Sequence, residues 1–181
     1  MVSQTKFTFD LPVLRLLENE HQYLTYLMNQ WHPMVLGIEQ DRYTLEEARN
    51  VLEKLRKQII EFLDPLKNHT DKEEAYLFPA LAKYVGDEQG PILAVEEGHQ
   101  EIDAYIGHFL HHTRGNLQDF SMQDIKDVTH DAGEAFETIT IHFIKEQSIV
   151  FPMVKDILQK EEQDRLFNQL YTPIVDLKDL L

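Results

Sequence analysis

Residues His69–Leu81, HTDKEEAYLFPAL, decide the fold, because their pattern recurs at His142–Val154 as HFIKEQSIVFPMV. Both copies place Lys three, Glu four, Phe nine and Pro ten residues after the His, with an aliphatic residue at twelve. A hydrophobic core requires neither His nor Glu, and Pro weakens the interior of a helix. The repetition therefore indicates a chemical requirement that the chain meets twice.

The repeat extends beyond this pair of motifs. Apolar residues lie at offsets −7, −4, +3 and +7 from His21, and again at the same four offsets from His99. At about 100° per residue these offsets share one helical face, with the histidine at its centre. The chain thus reads as two copies of one helical hairpin. The first helix of each copy carries the central histidine, His21 or His99, and the second helix carries the His-x-x-x-Glu motif.

Helical spacing dominates the whole sequence, and strand-like alternation is absent. The four main helices are predicted over Leu11 to Gly37, Thr44 to Val85, Pro91 to Gly115 and Ser121 to Lys160, with a short fifth that ends before Pro173. These elements predict an all-α fold, an up-and-down four-helix bundle with a pseudo-twofold repeat and a short C-terminal helix. One domain is expected over 1–181, with its core at 11–160 and a C-terminal extension at 161–181.

Several local signals mark the ends of these helices. Thr44 with Glu47, and Ser121 with Asp124, are typical of helix starts. Pro33 is a candidate for an early end of the first helix, and Asp64-Pro65 for a break in the second. Gly86–Gly90 is predicted to be a turn.

Composition excludes several functions. The chain has 181 residues, no Cys and a formal net charge of −15. The missing thiols exclude thiolate metal sites and disulfides, which agrees with a cytoplasmic location. The negative charge disfavours nucleic acid and anionic membrane surfaces as partners. The N-terminus has no apolar run typical of a signal peptide, and no stretch reaches the length of a membrane span.

Six residues are candidate metal ligands because they share the predicted inward faces. Two buried carboxylates without a cation would be costly, and a pair of divalent ions removes that cost. Imidazole and carboxylate donors suit iron, manganese or zinc. The candidates are His21, His69, Glu73, His99, His142 and Glu146. The remaining histidines and the pair His130/Glu134 fall off these faces and are predicted to lie at the surface.

The order His, His-x-x-x-Glu, His, His-x-x-x-Glu resembles the hemerythrin-like (HHE cation-binding) family over about Leu11 to Lys160. The resemblance implies a non-haem centre of two iron ions (Fe²⁺/Fe³⁺), oxo- or hydroxo-bridged, with manganese or zinc as substitutes. It implies that the six residues above are the ligands, with Glu73 and Glu146 as the bridges. Oxygen-carrying members have His and Asp where this chain has Asp103 and Gln147. The pattern is therefore nearer to the bacterial proteins that repair iron centres after oxidative or nitrosative stress.

Alternatives remain open at this point. Glu18-x-x-His21 and Glu96-x-x-His99 also match the Glu-x-x-His motif of ferritin-like bundles, which would replace His69 and His142 as ligands. Otherwise Glu18 and Glu96 orient imidazoles or are solvated.

For function, the resemblance implies binding of or reaction with O₂, NO or peroxide, with enzymatic turnover left open. The alternatives are an iron-binding or iron-donating protein and a metal-dependent regulatory interaction module with an unknown protein partner.

Overall fold

The structure, a computed structural model, describes residues 6–86 and 90–174. These residues contain helices and no strand, so the predicted all-α bundle is confirmed. The α-helices are α1 Pro12–Glu39, α2 Leu45–Lys72, α3 Phe78–Val85, α4 Pro91–His112, α5 Met122–Lys145, α6 Phe151–Ile157 and α7 Lys160–Leu170. The predicted turn Gly86–Gly90 and the extension 161–181 lie partly outside the described residues. None of the described helices is both long and apolar enough to pass through a membrane.

Both predicted helix starts are confirmed by reciprocal hydrogen bonds. The Thr44 N–H donates to Glu47 Oε2 at 2.8 Å, and the Glu47 N–H donates to Thr44 Oγ1 at 3.4 Å. The Ser121 N–H donates to Asp124 Oδ2 at 2.8 Å, and the Asp124 N–H donates to Ser121 Oγ at 3.2 Å. Each pair satisfies backbone groups that a helix start leaves without a helical partner.

The proline positions differ from the prediction. Helix α1 continues through Pro33, and α2 continues through Pro65 to Lys72. A proline inside a helix costs about 3 kcal/mol. Burial of neighbouring side chains offsets this cost, at about 1.5–3 kcal/mol for each large apolar group. The buried neighbours are Trp31, Val35, Phe62 and Leu66.

Two π-helical turns, Glu73–Leu77 and Glu146–Val150, join α2 to α3 and α5 to α6. In each turn the N–H of the following Phe donates to the carbonyl of the Glu five residues earlier. The next residue, Pro79 or Pro152, has no N–H to donate. The chain thus forms a wider turn where proline removes one hydrogen bond, and the helix continues instead of breaking. Such turns occur often at functional sites.

Packing divides the chain into two compact units. The first comprises Met1–Leu24, Pro65–Glu96 and Phe143–Leu181, and the second comprises Thr25–Asp64 and Glu97–His142. The assignment of one domain to 1–181 stays a prediction.

The core of the first unit includes the residues that follow the two π turns. Phe78 and Phe151 are buried there, together with Leu166 and Leu170 of α7. Helix α7 begins with a capping box between Gln159 and Glu162. The Tyr84 hydroxyl donates to Glu162 Oε2 at 2.7 Å and so joins α3 to α7.

The second unit has its own apolar core. Trp31 packs edge-on against the rings of Phe62 and Phe136, with centroids 6.2 Å and 5.7 Å away. The Arg49 Nε–H donates to the Phe120 carbonyl at 2.9 Å and holds the chain segment that precedes α5.

Candidate metal centre

The six predicted ligands are all buried, and Glu73, Glu146 and His69 have no exposed area. Their donor atoms form two groups, and within each group these atoms lie within 4.8 Å of one another. The first group is His21, His69, Glu73 and Glu146, and the second group is Glu73, His99, His142 and Glu146. Each group has two imidazoles and the same two carboxylates. These groups could hold metal ions, and the role of each residue as a ligand stays a prediction.

In the first group, the imidazole Nε2 atoms and the carboxylates converge. His21 Nε2 lies 2.9 Å from Glu146 Oε2 and 3.1 Å from His69 Nε2. His69 Nε2 lies 3.3 Å from Glu73 Oε1. One proton on a nitrogen cannot serve two such neighbours well, whereas a cation accepts lone pairs from all four side chains. The geometry therefore favours a shared positive ion.

The outer nitrogen of His69 contacts a buried carboxylate. His69 Nδ1–H donates to Glu20 Oε2 at 2.8 Å, since an ionised carboxylate can only accept. Glu20 Oε1 accepts from the ammonium of Lys72. Lys72 also donates to the Thr172 carbonyl at 2.9 Å. Glu20 and Lys72 are only 3% and 5% exposed, so this is a buried charge pair directly behind the imidazole.

The outer nitrogen of His21 contacts an amide. Gln147 Nε2 lies 3.0 Å from His21 Nδ1. An amide has a donor and an acceptor end, so it can pair with either tautomer of His21. The His21 ring stacks on Phe143 and on Phe151, with centroid separations of 4.1 Å and 5.3 Å. These rings fix the plane of the imidazole and exclude water from that side.

The two imidazoles of the first group titrate in opposite directions. Burial acts to lower the pKa of His69, but Glu73 and Glu20 outweigh it and raise the pKa to about 10. Burial lowers the pKa of His21, and Glu146 offsets this only in part. In the protein without an ion, His69 therefore carries a proton, which the Glu73 and Glu20 carboxylates hold.

In the second unit, His99 and His142 lie together with ring centroids 4.6 Å apart. Gly98, immediately before His99, allows this arrangement. A Cβ at Gly98 would lie 2.6 Å from Nδ1 of His142, closer than real Cβ contacts. Glycine is thus the residue that leaves room for the His142 ring.

The ferritin-like alternative is not favoured. Glu18 is buried, but its carboxylate accepts from the Thr8 N–H at 2.7 Å and from the Phe9 N–H at 3.3 Å. It therefore fixes the segment before α1. Glu96 is half-buried. Among the described residues, neither glutamate belongs to a group that could hold a metal ion.

The other histidines lie outside both groups. His130 is exposed, as predicted, and lies 3.7 Å from Glu134. His108, His111 and His112 are exposed as well. His32 was predicted at the surface but is half-buried, because its ring stacks on Phe136 with centroids 3.5 Å apart. Burial lowers the pKa of His32.

Sequence reasoning missed the residues that contact the ligands. The roles of Glu20, Lys72, Gln147 and Gly98 are defined by three-dimensional contacts, and Glu, Lys and Gln are common on solvated helices. One signal was available: Lys recurs in both motif copies, as Lys72 and Lys145. It is not sufficient, because Lys72 is buried and Lys145 is exposed.

The donor set fits a transition metal ion. Each group offers two nitrogen and two oxygen ligands in a buried place, a set that suits iron, manganese or zinc. Gly98 keeps the space that the second group requires.

Comparison with known proteins gives the family. The model of the hemerythrin HHE cation binding domain matches residues 13–154. No curated protein and no solved structure gives a significant match. The matched span covers most of the chain and includes all six predicted ligands, so the chain belongs to the hemerythrin HHE cation-binding domain family.

Proposed function

We propose that this protein holds two iron ions, one in each group, and that it binds or reacts with O₂, NO or peroxide. The observation that carries the proposal is the sharing of Glu73 and Glu146 by two groups of buried ligands. A carboxylate has two oxygens, so each glutamate can serve two ions. The family match supports a cation in this place.

When bound, two Fe²⁺ ions supply two electrons by conversion to Fe³⁺, enough to reduce one O₂ to peroxide or one peroxide to water. The chain's own residues set the conditions for this chemistry. His21, His69, His99 and His142 offer imidazole nitrogens as donors in a buried place. Phe143 and Phe151 cover the His21 side with apolar rings, which limits access of water. A small uncharged molecule crosses such a lining more readily than an ion does.

Metal stoichiometry tests the proposal. After anaerobic reconstitution with excess Fe²⁺ and desalting, we expect two iron ions per chain. Oxidation should produce near-ultraviolet charge-transfer absorption, and dithionite should remove it. Addition of O₂ or NO to the reduced protein should then change the absorption spectrum. One ion per chain, without such absorption, would contradict the dinuclear proposal. Rapid loss of iron to a chelator, with no response to O₂, NO or peroxide, would favour the iron-donating alternative.

Matched histidine variants test the site assignment. His69→Ala should reduce bound iron, because it removes a ligand of the first group. His130→Ala removes an exposed histidine of the same i, i+4 His/Glu type and should leave the iron content unchanged. Iron analysis of both variants, with circular dichroism to verify folding, decides the matter. Equal iron contents would mean that His69 is not a ligand.

A role in the response to oxidative or nitrosative stress, similarity to the repair proteins and a cytoplasmic location stay predictions from the sequence.

A further inference from the structure

The two halves of the internal repeat differ at one pair of matched positions. The residue before the first histidine of each half is Glu20 in one case and Gly98 in the other. Both positions lie against the Nδ1 atom of the second histidine of the same half. Glu20 Oε2 is 2.8 Å from His69 Nδ1, and Gly98 adjoins His142 Nδ1. Position 20 thus supplies a carboxylate to one imidazole, whereas position 98, which has no side chain, supplies none to the other.

The Glu20 carboxylate is held in place from two sides. His69 Nδ1–H donates to one oxygen, and the Lys72 ammonium donates to the other. Lys72 is itself fixed by the Thr172 carbonyl, at 2.9 Å. With Nδ1 engaged as a donor, Nε2 is the nitrogen that His69 presents to Glu73 and His21. The charge pair therefore fixes both the orientation of the ring and the nitrogen that faces the centre.

A carboxylate in this place also increases the electron density on the ring. A histidine that donates its outer N–H to a carboxylate is a stronger metal ligand, and loss of such a partner typically weakens metal binding 10–100-fold. At the matched position of the second half, no side chain fits, since even a Cβ would lie 2.6 Å from His142 Nδ1. His142 has other neighbours, but position 98 cannot supply a carboxylate.

We propose that Glu20, fixed by Lys72, is a positioning residue that strengthens metal binding by the first group through His69. This inference rests on the proposed function, because it requires that both groups bind metal. Its consequence is that loss of the Glu20 carboxylate weakens binding of the ion beside His69 more than binding of the ion beside His142.

Stepwise titration tests the proposal. Apoprotein is titrated anaerobically with Fe²⁺, and in parallel with Co²⁺, against a chromophoric chelator. For the unmodified protein we expect two bound ions. Glu20→Leu should weaken binding of one ion 10–100-fold and leave the other within about threefold of its original affinity. Glu20→Gln retains an oxygen that can accept the Nδ1–H of His69, so it should lose less metal affinity than Glu20→Leu.

A double variant separates positioning from charge balance. If Glu20 only neutralises Lys72, then Glu20→Leu combined with Lys72→Met removes both charges and should restore the affinity. If Glu20 acts on His69, the double variant remains weakened. Apolar replacement of both members of a buried ion pair is often well tolerated, so this protein should fold.

Glu18→Gln is the matched control. Glu18 is also a buried glutamate of α1, but its carboxylate accepts from the backbone N–H groups of Thr8 and Phe9. Both affinities should be unchanged.

A second signal comes from ¹H NMR of the Co²⁺ protein. The shifted Nδ1–H of His69 should exchange slowly with solvent, and Glu20→Leu should make this exchange fast while other shifted N–H signals persist.

The outcomes distinguish the two proposals. Two bound ions with affinities that do not respond to Glu20→Leu, or a full recovery in the double variant, would overturn the role of Glu20 and leave the dinuclear centre intact. Fewer than two ions in the unmodified protein would instead overturn the proposed function.

Discussion

A protein with Gln at positions 73 and 146 should remain folded and bind neither metal ion. Both glutamates are completely buried and belong to both groups. Gln has the same shape but no charge, so each ion loses two anionic ligands at once. The loss should exceed the 10–100-fold that a change outside the ligand set causes. The fold should persist, because Gln removes two buried like charges, and such charges oppose folding when no ion is bound.

Iron analysis and thermal unfolding of the ion-free proteins check this prediction. The double variant should contain no iron after reconstitution and should unfold at or above the temperature of the ion-free unmodified protein. Glu134→Gln is the control, since Glu134 lies beside the exposed His130 and belongs to neither group. Retention of two ions by the double variant would show that these carboxylates are not ligands.

Two alanine substitutions in α4 should have opposite effects. Gly98→Ala adds a methyl group 2.6 Å from His142 Nδ1, so the ring must move. Overpacking of this kind costs about 1–3 kcal/mol, against about 1 kcal/mol gained from helix propensity. A displacement that costs the second group about 1.4 kcal/mol weakens its ion about tenfold. Gly107 has open space around its Cβ position, so Gly107→Ala should stabilise the helix by up to about 1 kcal/mol.

Metal titration and urea unfolding of both variants give the comparison. Gly98→Ala should lose affinity for one ion only, and Gly107→Ala should keep both affinities and raise the free energy of unfolding. If Gly98→Ala binds both ions as the unmodified protein does, the His142 ring is not a ligand in the observed position.

Much of the fold could be predicted from local signals. Capping pairs such as Thr44/Glu47 act within one turn, so the sequence shows them directly. The motif repeat identified the buried faces, because His69 and His142 occupy matching places in two similar hairpins. Proline effects were harder to predict. Whether Pro33 or Pro65 ends a helix depends on how deeply the neighbouring side chains are buried. That burial is created by residues distant in sequence, so the local sequence does not show it.

The residues behind the ligands required the structure. Glu20 and Lys72 would be typical surface residues of a helix. Their contact with each other, across a separation of 52 residues, and their contacts with His69 and Thr172 accompany their burial. His32 is another residue whose burial the local sequence does not show. A histidine near a proline suggested an exposed helix end, but a stacking partner in another helix covers it.

The bond from Lys72 to the Thr172 carbonyl joins positions 100 residues apart in sequence. Contacts of such high sequence separation form late in folding, since the loop between them must close first. During synthesis at about 5–20 residues per second, Thr172 leaves the ribosome about 5–20 s after Lys72. A nascent chain that already contains all six ligands therefore still lacks the last contact of the charge pair behind His69. Metal binding at full affinity should accordingly come late, after the segment that contains Thr172 has emerged from the ribosome.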